Sequence, residues 1–204
     1  MARPREFNEA AVIEAAIQCF WSRGYEGTSV RDLAKKMRIT GASLYNAFGD
    51  KRSLYRRALE CYVEQSFVSC AKRLEAHLQP RDAIGAFFAE VIEQSLSDAR
   101  RKGCMVVNSA LEVAPHDAEF RHVIADVFTQ VEAFFRRCVA AGQRSGAITN
   151  LESGDDLARF LLGVLLGIRV LARTRPEREL LEGLVRPAFA LLDSHRSGKK
   201  RRGR

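Results

Sequence analysis

The side chains best suited to contacting another polymer stand close together, between Gly24 and Leu54. Ser43, Tyr45 and Asn46 carry donors and acceptors that match base edges and phosphate oxygens. Thr28 combines a hydroxyl with the unpaired N–H groups of a helix start, a setting that favours a phosphate. Lys51 brings positive charge to a second helix start, and Arg31, Thr40 and Gly41 complete the set of residues expected to face nucleic acid. Covalent and metal chemistry find less support. His116 and His122, six apart, do not align two imidazoles on one helix face, and no neighbouring Cys or carboxylate completes a metal site. Asp155 and Asp156 read as a helix-start pair and not as an acid–base dyad. The five cysteines (Cys19, Cys61, Cys70, Cys104, Cys138) form no CxxC motif, and their odd number speaks against a disulfide framework. No catalytic residue, metal or cofactor is therefore expected.

Those residues need a scaffold, and the pattern around them supplies one. The chain reads short helix, three-residue turn (Arg38-Ile39-Thr40), short helix, which is the layout of a helix-turn-helix. The second helix carries small residues (Gly41, Ala42, Ala47) that leave one face thin enough for a major groove, while Leu44 and Phe48 hold the other to a core. Helical periodicity continues almost everywhere, and no segment alternates with period two. Nine helices are expected: 8–23, capped by Asn8 and stopped by Gly24; a short one after Ser29; one capped by Thr40 and ended by Gly49; one from Lys51 to about Gln79, capped by Asp50; and one from Pro80. After a loop over Asp98–Gly103 come Cys104 to about Ala114, a long helix ending at Gly142–Gly146, one from Asp155 or Asp156 to Thr174, and one from Glu177 to about Ser194. The fold class is all-α.

The net charge of +8 is unevenly spread, at +5 over residues 1–57, −3 over 58–195 and +6 over 196–204. The division expected is a helix-turn-helix domain (1–50), a helical effector-binding and dimerisation domain (51–195) and a disordered basic tail (196–204). Helix eight is apolar nearly all round, yet Arg159, Arg169 and Arg173 leave it too short an uncharged run to span a membrane. Its second face is most simply covered by another subunit, with Gly163 and Gly167 allowing close approach, so a homodimer through helices eight and nine is expected. No apolar leader opens the chain, which points to the cytoplasm.

The stretch Gly24-Tyr25-Glu26-Gly27-Thr28, Leu33-Ala34, Leu44-Tyr45-Asn46-Ala47-Phe48 and Lys51…Leu54 resembles the DNA-binding domain of the tetracycline-repressor family over about residues 7–56. The resemblance implies an all-helical homodimer that represses transcription from a double-stranded DNA operator until a small-molecule effector relieves it. Two positions depart from the family pattern: Arg38 stands where the turn usually has Gly, and Gly41 where a basic or polar residue is common. Gly103-Cys104…Asn108…Ala110…Glu112 is similar to a block in one branch of the family, some members of which respond to reactive or oxidised compounds. Helices five to seven should enclose a mostly apolar effector pocket lined by Phe88, Val91, Cys104, Met105, Asn108, Phe128 and Phe135. Cys104, at a helix start and preceded by Arg100, Arg101 and Lys102, either reacts with an electrophile or oxidant or packs in the wall of a noncovalent site. Two other readings compete: a nonspecific architectural DNA binder, supported only by the tail, and a Cys104-dependent enzyme, which lacks a His partner or oxyanion loop. Deleting residues 196–204 should therefore leave sequence-specific DNA binding intact while weakening binding to random duplex, as competition gel shifts will read.

Overall fold

In the computed structural model residues 8–193 are described, and all regular structure among them is helical. Arg3, Arg5 and the basic tail 196–204 lie outside the described residues. Nine helices follow in order: α1 (Glu9–Arg23), α2 (Val30–Met37), α3 (Gly41–Phe48), α4, α5 (Pro80–Ser97), α6 (Met105–Glu112), α7 (Ala118–Ser145), α8 (Gly154–Thr174) and α9 (Arg178–Leu192). The rod α4 has three parts, α-helical over Lys51–Val63, π-helical over Glu64–Val68 and α-helical again over Ser69–His77. Among the described residues no helix is long and apolar enough to cross a membrane.

Local chemistry sets the helix ends. The side chains of Asn8, Thr40 and Asp50 accept from the N–H groups of Ala11 (3.2 Å), Ser43 (3.0 Å) and Ser53 (2.7 Å), three N-caps each worth about 1 kcal/mol. Ser29 forms a reciprocal capping box with Asp32. α2 ends on Arg38 at φ 58°, ψ 36°, a left-handed conformation that L side chains resist. Gly24 ends α1 with positive φ but an extended ψ of 177°, and a Cβ there would lie 2.5 Å from a Glu112 carboxylate oxygen. Three differences from the sequence expectation bear on the site. The π turn interrupts α4 without any local marker in its residues. α6 begins one residue late, with Cys104 at its N-cap, and α8 is capped by Ser153, which sets Asp155 and Asp156 in the first turn.

Two apolar cores result. The first gathers Ile17, Phe20, Leu33, Leu44 and Leu54 from α1–α4 and is closed by Met105 of α6 and Phe120 of α7. The second joins the end of α4 to α5, the second half of α7, α8 and α9 around Phe88 and Phe135, whose rings stack at 5.6 Å. Phe67, on the π turn, packs against both cores. The strained turn at Arg38 gives a direct check: Arg38→Gly should raise the unfolding free energy by up to about 1 kcal/mol, the left-handed strain relieved exceeding the extra entropy of the unfolded chain. Urea denaturation monitored by circular dichroism measures it, and a loss of stability would contradict it.

Candidate nucleic-acid interface and regulatory cavity

α3 has a committed face and a free one. Leu44 and Phe48 are buried in the first core, whereas Ala42, Tyr45 (52% exposed) and Asn46 point outward. At Gly41 an added Cβ would meet nothing within 4 Å, so the start of this face is open. Ser43 is less available than its position suggested, because its hydroxyl lies 2.8 Å from that of Thr40 and the pair closes the helix N-terminus. Thr28 is corrected outright as a side-chain phosphate ligand. It is fully buried and its hydroxyl donates to the Gly24 carbonyl at 2.7 Å, since Ser29 beside it has taken over the cap. Arg31 is exposed on the first turn of α2. Lys51 holds its ammonium 4.2 Å from the centre of the Tyr25 ring, a cation–π contact that steadies it at the start of α4.

The head is tied to the rest of the chain mainly through α6. Trp21 donates its indole N–H to the Gly103 carbonyl just before that helix (2.9 Å). Tyr55 and Ser109 share a buried hydrogen bond of 2.6 Å at its middle. Burial pushes the Tyr55 hydroxyl up to about 12, so it stays protonated. At the far end the Glu112 carboxylate accepts the Glu26 N–H at 2.9 Å. A second tie runs from Arg52, whose guanidinium bonds Asp117 through two nitrogens, each at 3.0 Å, and so holds that carboxyl below its usual range. On its other side α6 is clasped by α8, because Asn108 donates to the Lys102 carbonyl (2.8 Å) and accepts from Arg173 (2.9 Å).

Beside the first residue of this helix lies a small apolar cavity of about 50 Å³. Cys104 and Phe128 line it, together with Tyr62, Phe67, Val107 and Arg169, none of which the sequence marks as lining a pocket. Phe88, Phe135, Met105 and Val91 belong to the cores and do not reach its wall, while Asn108 is spent on the clasp. Tyr62 came from α4, where helical periodicity marks it only as another buried position, and Arg169 from a helix whose arginines read as membrane exclusion. Burial raises the Tyr62 hydroxyl.

A short helix with one anchored face, a bare polar face and a fixed partner helix is built to enter a DNA major groove. By class the molecule is a helix-turn-helix transcriptional regulator. More narrowly, the chain belongs to the tetracycline-repressor (TetR) family. Residues 12–58 match the family described as bacterial regulatory proteins, tetR family, and residues 80–186 match a tetracyclin repressor-like C-terminal domain. It is 33% identical over 95% of its length, and the whole of the relative, to the uncharacterized HTH-type transcriptional regulator YezE of Bacillus subtilis. Identity to the HTH-type transcriptional repressor ComR of Escherichia coli is 26%, over 88% of this chain and 86% of that one. The solved TetR family regulator CifR, as a cysteine mutant with 26 bp double-strand operator DNA, superposes with a TM-score of 0.82 at 32% identity, covering 92% of this chain and 99% of that one.

Two substitutions should separate grip from reading. Lys51→Ala is expected to weaken binding to all duplexes alike and to reduce the salt slope of log K by about one. Asn46→Ala should instead relax preference at a single base position, at a cost of about 1–3 kcal/mol for the preferred base. Fluorescence anisotropy over a salt series and over single-base operator variants reads both.

Proposed function

We propose that the protein is a homodimeric repressor that holds a palindromic operator with one α3 per half-site and leaves it when a small molecule enters the cavity beside Cys104. The observation that carries this reading is the fastening of α6. A helix of eight residues begins at the cavity and is bonded to the head before its start, at its middle and at its end. An occupant that displaces Cys104, the N-cap of α6, moves that helix, and α6 cannot move without shifting α1 and α4. The repressor name of ComR supports the same direction of control, and the operator-bound form of CifR supports duplex DNA as the partner.

The dimer is supported by the outward face of α8. Phe160 and Val170 stand 43% and 47% exposed there, and between them Gly163 and Gly167 have open space beyond the backbone. A second copy of the same face, with Leu191 of α9 at its side, buries these groups and permits close helix contact. A covalent mode of action has its own support, since Cys104 is only half-buried at the cavity, whereas Cys138 is enclosed in the second core with its thiol pushed up to about 12 by burial. Addition to a quinone forms one sulfur–carbon bond and passes the thiol proton to the quinone oxygen. The family matches support a regulator over a cysteine-dependent enzyme.

Light scattering at micromolar concentration should give about twice the 22.9 kDa chain mass, and a solely monomeric species would end the dimer. On an operator selected from a random duplex library, a quinone or hypochlorite should release the wild type at a dose at least about tenfold lower than Cys104→Ser. Equal release from both proteins returns Cys104 to a packing role.

A further inference from the structure

The apolar cavity is not isolated. Tyr62, Ser66 and Arg169 form part of its wall and also part of the wall of a larger open cleft of about 430 Å³ between α1, α4, α5 and the loop before α6. The cleft differs from the cavity in character. Arg101, Lys102 and Arg169 supply three cations, against two carboxylates, Asp98 and Glu14. Both carboxylates are already engaged: Asp98 accepts the N–H groups of Arg100 (3.3 Å) and Lys102 (2.6 Å), and Glu14 accepts from Gln18 (2.9 Å).

Arg169 is the unusual member. Most arginines of the described chain are paired with carboxylates, as in Arg52–Asp117, Arg73–Glu90 and Arg178–Glu93. Among the described residues Arg169, half-buried, forms no ion pair; the hydrogen bonds it makes there are two long ones, 3.4 Å to the Ser95 hydroxyl and 3.4 Å to the Gln94 amide oxygen. Both exceed the usual range for N–H···O bonds, so most of its donor capacity is unspent. Lys102 also lacks a carboxylate, resting 3.6 Å over the Trp21 ring with Gln18 at 3.4 Å. A partly desolvated guanidinium at the junction of an apolar chamber and a cationic cleft is matched by a ligand with a short apolar end and an anionic head.

We infer that cavity and cleft together form one site for an organic monoanion, its apolar end entering between Cys104 and Phe128 and its carboxylate-like head paired with Arg169, with Lys102 next to it. The assignment rests on the cavity being the effector site and adds the chemical class of the effector. It also places the head of the ligand between α1 and α8, so that occupancy is felt directly at Trp21.

Trp21 is the only tryptophan of the chain and lies in the cleft, so its emission reports binding without DNA. Hexanoate, octanoate, benzoate and phenylacetate are titrated into the full-length protein beside their primary amides, which keep the shape and remove the charge. At least one acid should shift Trp21 emission saturably and bind about tenfold or more tightly than its amide, the share expected of one charge-assisted hydrogen-bonded pair. Arg169→Gln should abolish that preference while changing the affinity of the amide by less than about threefold. Arg169→Met, checked for an unchanged melting curve, gives the same comparison if Arg169→Gln folds poorly. Saturable binding with no acid-over-amide preference, a preference that survives both Arg169 variants, or no saturation by any of the acids up to about 10 mM overturns the assignment. Binding that obeys it but leaves operator affinity unchanged supports the site and counts against the regulatory reading alone.

Discussion

The carboxylate of Glu112 and the amide of Glu26 form the contact on which the geometry of the head depends. It fixes the turn after α1 at the point where Gly24 leaves no room for a side chain, and therefore sets the angle at which α2 and α3 leave α1. With the Trp21–Gly103 and Tyr55–Ser109 bonds it makes α6 a bracket between head and body. Each bond alone contributes about 1 kcal/mol, somewhat more where a carboxylate accepts. Their combined effect is geometric, since three points of attachment between Gly103 and Glu112 leave the helix no independent rotation.

The same arrangement explains why the cavity beside Cys104 is small. α6 is held by α8 as well, through Asn108 and Arg173, and Gly103 lies so near the Arg173 side chain that a Cβ would come within 2.7 Å of it. A helix so tightly clasped cannot sit back from the core and leave a large void. The space that remains opens where regular structure gives way, at the π turn of α4 and the irregular loop before α6, where Arg101 and Gly103 both take positive φ. π turns often occur at functional positions because the widened turn projects side chains off the ordinary stripe. Phe67 and Ser66 are so projected here, one towards both cores and one to the shared wall of cavity and cleft.

What was legible in the sequence divides along the range of the interactions. The caps at Asn8, Thr40 and Asp50 depend on neighbours within four residues, and the residue types there announce them. The helix-turn-helix was equally plain, and with it the exposed Tyr45–Asn46 face. Thr28 misled because a threonine before a helix is chemically equal to the serine after it; only the fold decides which one turns inward. The wall of the cavity beside Cys104 was only half readable. Cys104 and Phe128 stood out by position, but Tyr62 and Arg169 acquire meaning from each other, across 107 residues, and no local pattern marks such a pair. Phe88 and Phe135 satisfied the same apolar stripe as true lining residues and were absorbed by stacking on one another.

The reach of those long-range bonds has a consequence for how the molecule is made. The head occupies the first quarter of the chain, yet its apolar core includes Met105, Phe120 and Ile124, and two of its fastening bonds join residues 82 and 86 positions apart. During synthesis α1–α3 therefore leave the ribosome with part of their apolar surface uncovered, and the closing pieces arrive only after more than half the chain has been added. Contacts of this separation slow folding relative to a free-standing three-helix unit. The part of the protein that emerges first is among the parts completed last, and until then it is a surface for chaperones to bind.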